Sequence, residues 1–182
     1  MKQKLTVFWG FLITLASTLL LVTHPVHAAN NATINYSGTL VALPCTVPPG
    51  TENLYVDMGV IPTKSLYRFK RTAAKLIEFE LKDCDPDLGN AIAVYFSGPM
   101  TGDGLLQFSG GSQAKGAGIG LEYLDGTPIS INNIDPYKIS IVKGDMTVRM
   151  KAFVQGEQEA LASKTIEPGF FTAVLTYIMS YE

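Results

Sequence analysis

Hydrophobic and polar residues alternate along most of this chain. In residues 75–82, Ile77, Phe79 and Leu81 fall on one side, with Glu78 and Glu80 on the other. A period of two marks a strand with one buried face. Ala73 to Leu81 has a helix-compatible composition, but the alternation argues against a helix there. Residues 91–96 form a short apolar run between Gly89-Asn90 and Gly98-Pro99. Residues 119–124 end at Asp125-Gly126, a hairpin signal. Residues 138–142 end at Lys143-Gly144-Asp145. Residues 146–155 set Met146, Val148, Met150, Ala152 and Val154 against Thr147, Arg149 and Lys151. The last run covers residues 170–181. Short strands at this spacing, separated by Gly, Pro, Asn and Asp, predict an all-β sandwich or barrel. No amphipathic helix of ordinary length is predicted. Residues 97–118 hold seven glycines and read as turns around one short strand, residues 105–108. A phosphate-cradling loop would need a Gly-Lys-Ser/Thr ending and a following helix, and neither is present.

Two segments do not fit a closed sandwich. Ahead of Cys45, the chain alternates Ile34, Tyr36, Gly38 and Leu40. At the other end, Gly169 opens a run in which Phe171, Ala173, Leu175, Tyr177, Met179 and Tyr181 share one side. So apolar a strand, ending one residue from Glu182, is hazardous as an open edge. It either lies centrally in a sheet or is covered by a partner.

The first 28 residues form a separate unit. Lys2 and Lys4 precede an uncharged stretch, residues 5–23, and then His24-Pro25-Val26-His27-Ala28-Ala29. A basic start, an apolar centre and a small-x-small exit predict a secretory signal peptide cleaved after Ala28. The run is about long enough for a retained membrane helix. Pro25 and the lack of a basic stop-transfer cluster argue against that. Cleavage removes both histidines and Trp9, leaving 154 of the 182 residues. Twelve basic residues then face sixteen acidic ones, for a net charge of −4. No basic tract is present, so nucleic acid is not an expected partner.

Without histidine, the mature chain lacks the base of a serine or cysteine nucleophile. No enzyme activity and no cofactor are expected. Cys45 and Cys84, an even count in an exported chain, read as one disulfide. A metal pair or a reactive thiol is the alternative, but no histidine or third cysteine completes a soft site. Asp83, Asp85 and Asp87 suggest calcium by composition, but they lack the twelve-residue loop pattern. A solvated turn around Pro86 is the simpler reading.

These features resemble the subunits of chaperone–usher pili, such as type 1 and P pili. The resemblance spans nearly the whole mature chain. An alternating extension with a glycine, Ile34 to Leu40, leads to Leu43-Pro44-Cys45. A second cysteine, Cys84, ends an alternating strand. Gly169 and Tyr181 stand thirteen and one residues before the end, with apolar alternation between them, and Gly118-Ile119-Gly120-Leu121 before Asp125-Gly126 resembles the family's central strand and turn. The resemblance implies an incomplete immunoglobulin-like β-sandwich lacking its final strand. It implies a donor-strand extension over residues 29–43 and a pilin domain over residues 44–182. A periplasmic chaperone would cover the groove along Gly169, Phe171, Ala173, Leu175, Tyr177, Met179, Tyr181 and Glu182. At an outer-membrane usher, the next subunit would then donate Ile34, Tyr36, Gly38 and Leu40. The expected partners are therefore the chaperone, the usher and neighbouring pilins, and the expected location is the periplasm and then a fimbrium. The chain is too short for a receptor-binding domain ahead of a pilin domain. An adaptor position ranks ahead of shaft and terminator. The rival expectation is an exported single-domain immunoglobulin-like binding protein, such as a lectin, that folds alone.

Overall fold

The computed structural model describes residues 33–182. The predicted signal peptide and the first residues of the extension lie outside them. The chain divides into Met1–Leu40 and Val41–Glu182. In the first unit, residues 33–40 form no strand or helix and are exposed throughout. In the second, burial begins at Pro44 and Cys45.

Eight strands and two short helices follow. They are α1 (Thr63–Phe69), β1 (Lys75–Cys84), β2 (Ala91–Ser97), β3 (Leu106–Gln107), β4 (Ala117–Glu122), β5 (Pro128–Ile129), β6 (Tyr137–Ser140), β7 (Gly144–Gly156), α2 (Gln158–Ser163) and β8 (Thr176–Tyr181). One antiparallel sheet runs β1-β7-β4-β3, with β5 also on β4, and a second runs β6-β2-β8. The main core lies between them. Phe79, Leu81, Val148 and Met150 enter from the first sheet, and Ile92, Val94 and Phe96 from the second. Ring stacking of Phe79 on Tyr177, 5.2 Å between centroids, joins the sheets directly. A smaller core holds Leu66, Phe108, Ala117 and Val154.

The structure corrects the start of the last strand and removes one of the two alternatives for it. The last strand begins at Thr176, not Phe170. Residues 170–172 bond instead to a glycine-rich loop: the Ser109 and Gln113 amides donate to the Thr172 and Phe170 carbonyls, each at 2.8 Å. The central-strand reading of this run also fails, because β8 pairs only with β2 and ends its sheet. Two short helices, α1 and α2, accompany the strands, and neither has the ordinary length that the alternation argues against. Each spans six or seven residues with one buried side chain, Leu66 or Ala160. Two turns are too few for a helical period to emerge.

The first sheet carries one buried charge. Glu122 is 2% exposed. It accepts from Arg71 Nη1 at 2.7 Å and faces Lys151 Nζ at 3.4 Å. Arg71 also lies 4.2 Å over the Phe153 ring. That ring sits on Gly120, its cross-strand partner, where any Cβ would collide with it. The Arg71 guanidinium beside Glu122 holds its carboxyl below the usual carboxylate range, against an opposing effect of burial. A depressed folded-state value contributes stability above the ordinary glutamate pKa. That stability is lost as pH falls through the depressed value.

Two predictions follow from these contacts. Glu122→Gln should lower stability at neutral pH by about 2 kcal/mol, the cost of a lost charge-assisted bond. The same variant should flatten the acid limb of the unfolding profile, as thermal melts between neutral and acidic pH will read. Cys45 and Cys84 are bonded across 39 residues. Their joint replacement by serine should cost about 4 kcal/mol by loop entropy, measured by urea unfolding. Intact-mass analysis without reduction should find no free thiol in the native chain.

Candidate functional site: an open strip along the last strand

The strip is built from sequence alternation carried into burial. From Phe171 to Tyr181 every odd residue is half-buried and every even residue is exposed. Ala173, Leu175, Tyr177, Met179 and Tyr181 pack against the main core, and Phe171 packs against the smaller one. Their neighbours on β2 are placed differently. Ile92, Val94 and Phe96 pair with Tyr181, Met179 and Tyr177, and all three β2 residues are buried. Two adjacent strands thus face one core, yet only the inner one is covered.

No described strand pairs with the free side of β8. Across the opening lies a stretch of irregular chain, residues 45–52. Tyrosine hydroxyls reach it where no backbone ladder does. The Tyr181 hydroxyl donates to the Cys45 carbonyl at 3.2 Å, and that of Tyr177 lies 3.5 Å from the Glu52 carbonyl. Burial pushes the Tyr181 hydroxyl above its ordinary pKa, which keeps it a neutral donor. Val47 packs on the core from this wall. Sequence reasoning missed this wall. Its signal was Val47-Pro48-Pro49, apolar but unable to form a regular ladder.

Both ends of the strip are fixed. At Gly169 a Cβ would stand 2.5 Å from Gln113 Cβ and 3.0 Å from the Ala114 nitrogen, so backbone passes too close for a side chain. At the other end the Glu182 backbone oxygen accepts from the Asn90 amide at 2.7 Å, and its side chain pairs with Lys138 at 2.7 Å. The disulfide stands beside this end. Pro44 packs where a Cβ on Gly89 would lie, and its carbonyl accepts from the Asp85 amide at 2.7 Å.

Ile34, Tyr36, Gly38 and Leu40 lie in the first unit and are exposed there. Tyr36 is 89% exposed, and a Cβ on Gly38 would meet nothing within 4 Å. Gly38 is therefore not demanded by packing where it stands. Asp83, Asp85 and Asp87 form a turn in which Asp85 Oδ1 accepts from the Asp87 amide at 3.1 Å. Among the described residues no group of three or more acidic, histidine or cysteine side chains is arranged to hold a metal.

The model of the Fimbrial protein family matches residues 34–182. A fimbrial subunit of type 1 from Salmonella typhimurium is 34% identical over 157 residues, covering 82% of each chain. An uncharacterized fimbrial-like protein, YfcP, of Escherichia coli K12 is 28% identical over 175 residues, covering 94% of this chain and 95% of that one. The crystal structure of the P pilus rod subunit PapA superposes with a TM-score of 0.64 at 18% identity. It is covered fully, against 77% of this chain. A subunit from a chaperone–usher pilus structure gives 0.61 at 19%, covering 87% of this chain. The shared fold is the immunoglobulin-like sandwich that lacks a strand. The chain belongs to the fimbrial protein family, as a structural subunit of a cell-surface pilus and not an enzyme.

Proposed function

We propose that this subunit is assembled by strand donation, accepting a strand beside β8 and donating its own residues 29–43 to another subunit. One observation carries the reading: β8 is a sheet edge whose core-facing side chains remain half-exposed. A donated strand satisfies two needs of that edge together. It pairs the free main-chain groups, and it covers Leu175, Tyr177 and Met179. Each large side chain removed from water contributes about 1.5–3 kcal/mol. No nucleotide is then needed outside the cytoplasm.

The extension has the matching form. Ile34, Tyr36 and Leu40 project from one side of an extended chain, with Gly38 between them. In the periplasm a chaperone strand would occupy the strip first, and at the usher the next subunit would replace it. Signal-peptide cleavage after Ala28 starts that route. A chain with both an extension and an open edge suits an internal position, the adaptor among them. A self-contained immunoglobulin-like binding protein would have no use for an open apolar edge.

Two experiments follow. Tyr181→Asp or Met179→Asp should abolish capture by the chaperone, and the subunit should be lost from periplasm when the two are co-expressed. Wild-type levels would mean that this strand is not the contact. Gly38→Arg should leave the chaperone complex at normal yield, because the segment is exposed and outside the sandwich. The same variant should fail to displace the chaperone from a neighbouring subunit, since a buried unpaired charge is strongly unfavourable. Loss of both activities would instead make Gly38 a structural turn residue, and normal exchange would exclude the donor assignment.

A further inference from the structure

The segment of residues 58–77 holds Lys64, Arg68, Lys70, Arg71 and Lys75 and no acidic residue. These are five of the twelve basic residues that follow residue 28, in a chain that is net acidic there. Arg71 is held by Glu122, which leaves Lys64, Arg68 and Lys70 exposed around α1. Beside α1 is a cleft of about 550 Å³ whose apolar lining includes Met58, Val60, Ile61 and Phe69; Arg71 and Lys75 also line it, and Arg68 lies 5.2 Å over the Phe69 ring. Val60 is 98% exposed and Phe69 62%. An apolar hollow with a basic rim is a surface for an apolar tip carried on acidic chain.

Such a tip exists on the same molecule. In Asp83-Cys84-Asp85-Pro86-Asp87-Leu88, Leu88 is 52% exposed. Its turn is fixed by the disulfide and by the Leu88 amide donating to the Asp85 carbonyl at 3.2 Å. Tip and cleft lie at opposite ends of the first sheet. Arg71 bridges to Gln155 near the end of β7, whereas Cys84 pairs with Gly144 at its start. The 13 residues of β7 span about 40 Å. No chain can bring its own tip to its own cleft, but a second copy can.

The open strip fixes which copy. The tip stands at the root of the extension, where Asp85 bonds Pro44 and Tyr181 bonds Cys45. The cleft stands at the other end of the strip, because Met58 and Ile61 share the smaller core with Phe171 and Ala173. A donor running parallel to β8 would bring its acidic root to the acceptor's acidic end. An antiparallel donor brings it to the basic cleft, and unlike charge favours that orientation. We propose that the Leu88 turn of one copy docks in the α1 cleft of the copy that accepts its extension. This contact rests on the strand-donation reading and adds that the internal position is a repeated one.

The test is a cross-link in assembled fimbriae from cells producing the full chain. Both sites are exposed, so Val60→Cys and Leu88→Cys can be combined without opening the core. After mild oxidation and heating in detergent without reductant, the double variant should run as a ladder of covalent multimers, and each single variant as a monomer. Fimbriae that contain the double variant but yield only monomers overturn the contact and leave strand donation standing. Dimers from either single variant would indicate a symmetric contact and also overturn it. If Gly38→Arg enters fimbriae at the wild-type rate, strand donation fails, whatever the cross-link gives. As a second reading, Arg68→Glu or Asp87→Lys alone should slow accretion about tenfold at low salt. Combining them should restore most of the rate, and failure of that rescue counts against the contact.

Discussion

The structure turns on one strand that is half-covered. β8 presents an apolar face to the core, but it is held by main-chain bonds on one side only. A sandwich of this size with a filled core would bury both strands of the pair β2 and β8 alike. Here Ile92 and Val94 are sealed, while Tyr181 and Met179, their partners, are not. An open edge of this composition invites any extended chain to pair with it. The cost is unprotected apolar surface in the free subunit, and the gain is a site of high affinity for one strand.

The rest of the fold keeps that opening in place. The disulfide ties residue 45 to the end of β1, so the far wall cannot drift away from β8 or collapse onto it as a ladder. Tyr181 spans the gap with a hydroxyl in place of backbone pairing. At the other end the close approach at Gly169 pins the run to the glycine-rich loop. Arg71, Glu122 and Phe153 lock the first sheet under α1. Rigidity around the strip limits the entropy lost when a strand enters it.

Much of this was legible in the residues. The alternation from Phe171 to Tyr181 translated directly into burial because a period of two needs no long-range information. The cysteines and the strands β1 and β7 were readable for similar reasons. The edge position of β8 was not, since hydrophobicity reports that a face is covered, not which neighbour covers it. The first half of the last run lost its strand character to loop residues 109–114, a competition that the local pattern does not encode. The Arg71–Glu122 pair joins residues 51 apart in sequence and left no mark in either segment. The α1 cleft left only a faint one, five basic residues spread over residues 64–75 with no acidic residue among them and no contiguous tract. Its apolar lining comes from Met58, Val60 and Ile61 ahead of α1 and from Phe69 at the end of the helix, positions that share no period.

Hydrogen exchange at the β8 amides tests the central claim most directly. The amides on its free side should exchange rapidly in the isolated subunit. A synthetic peptide of residues 29–43 should protect them, and the same peptide carrying Gly38→Arg should not. Strong protection in the isolated monomer, or no change on adding the wild-type peptide, would contradict an edge that is completed by a donated strand.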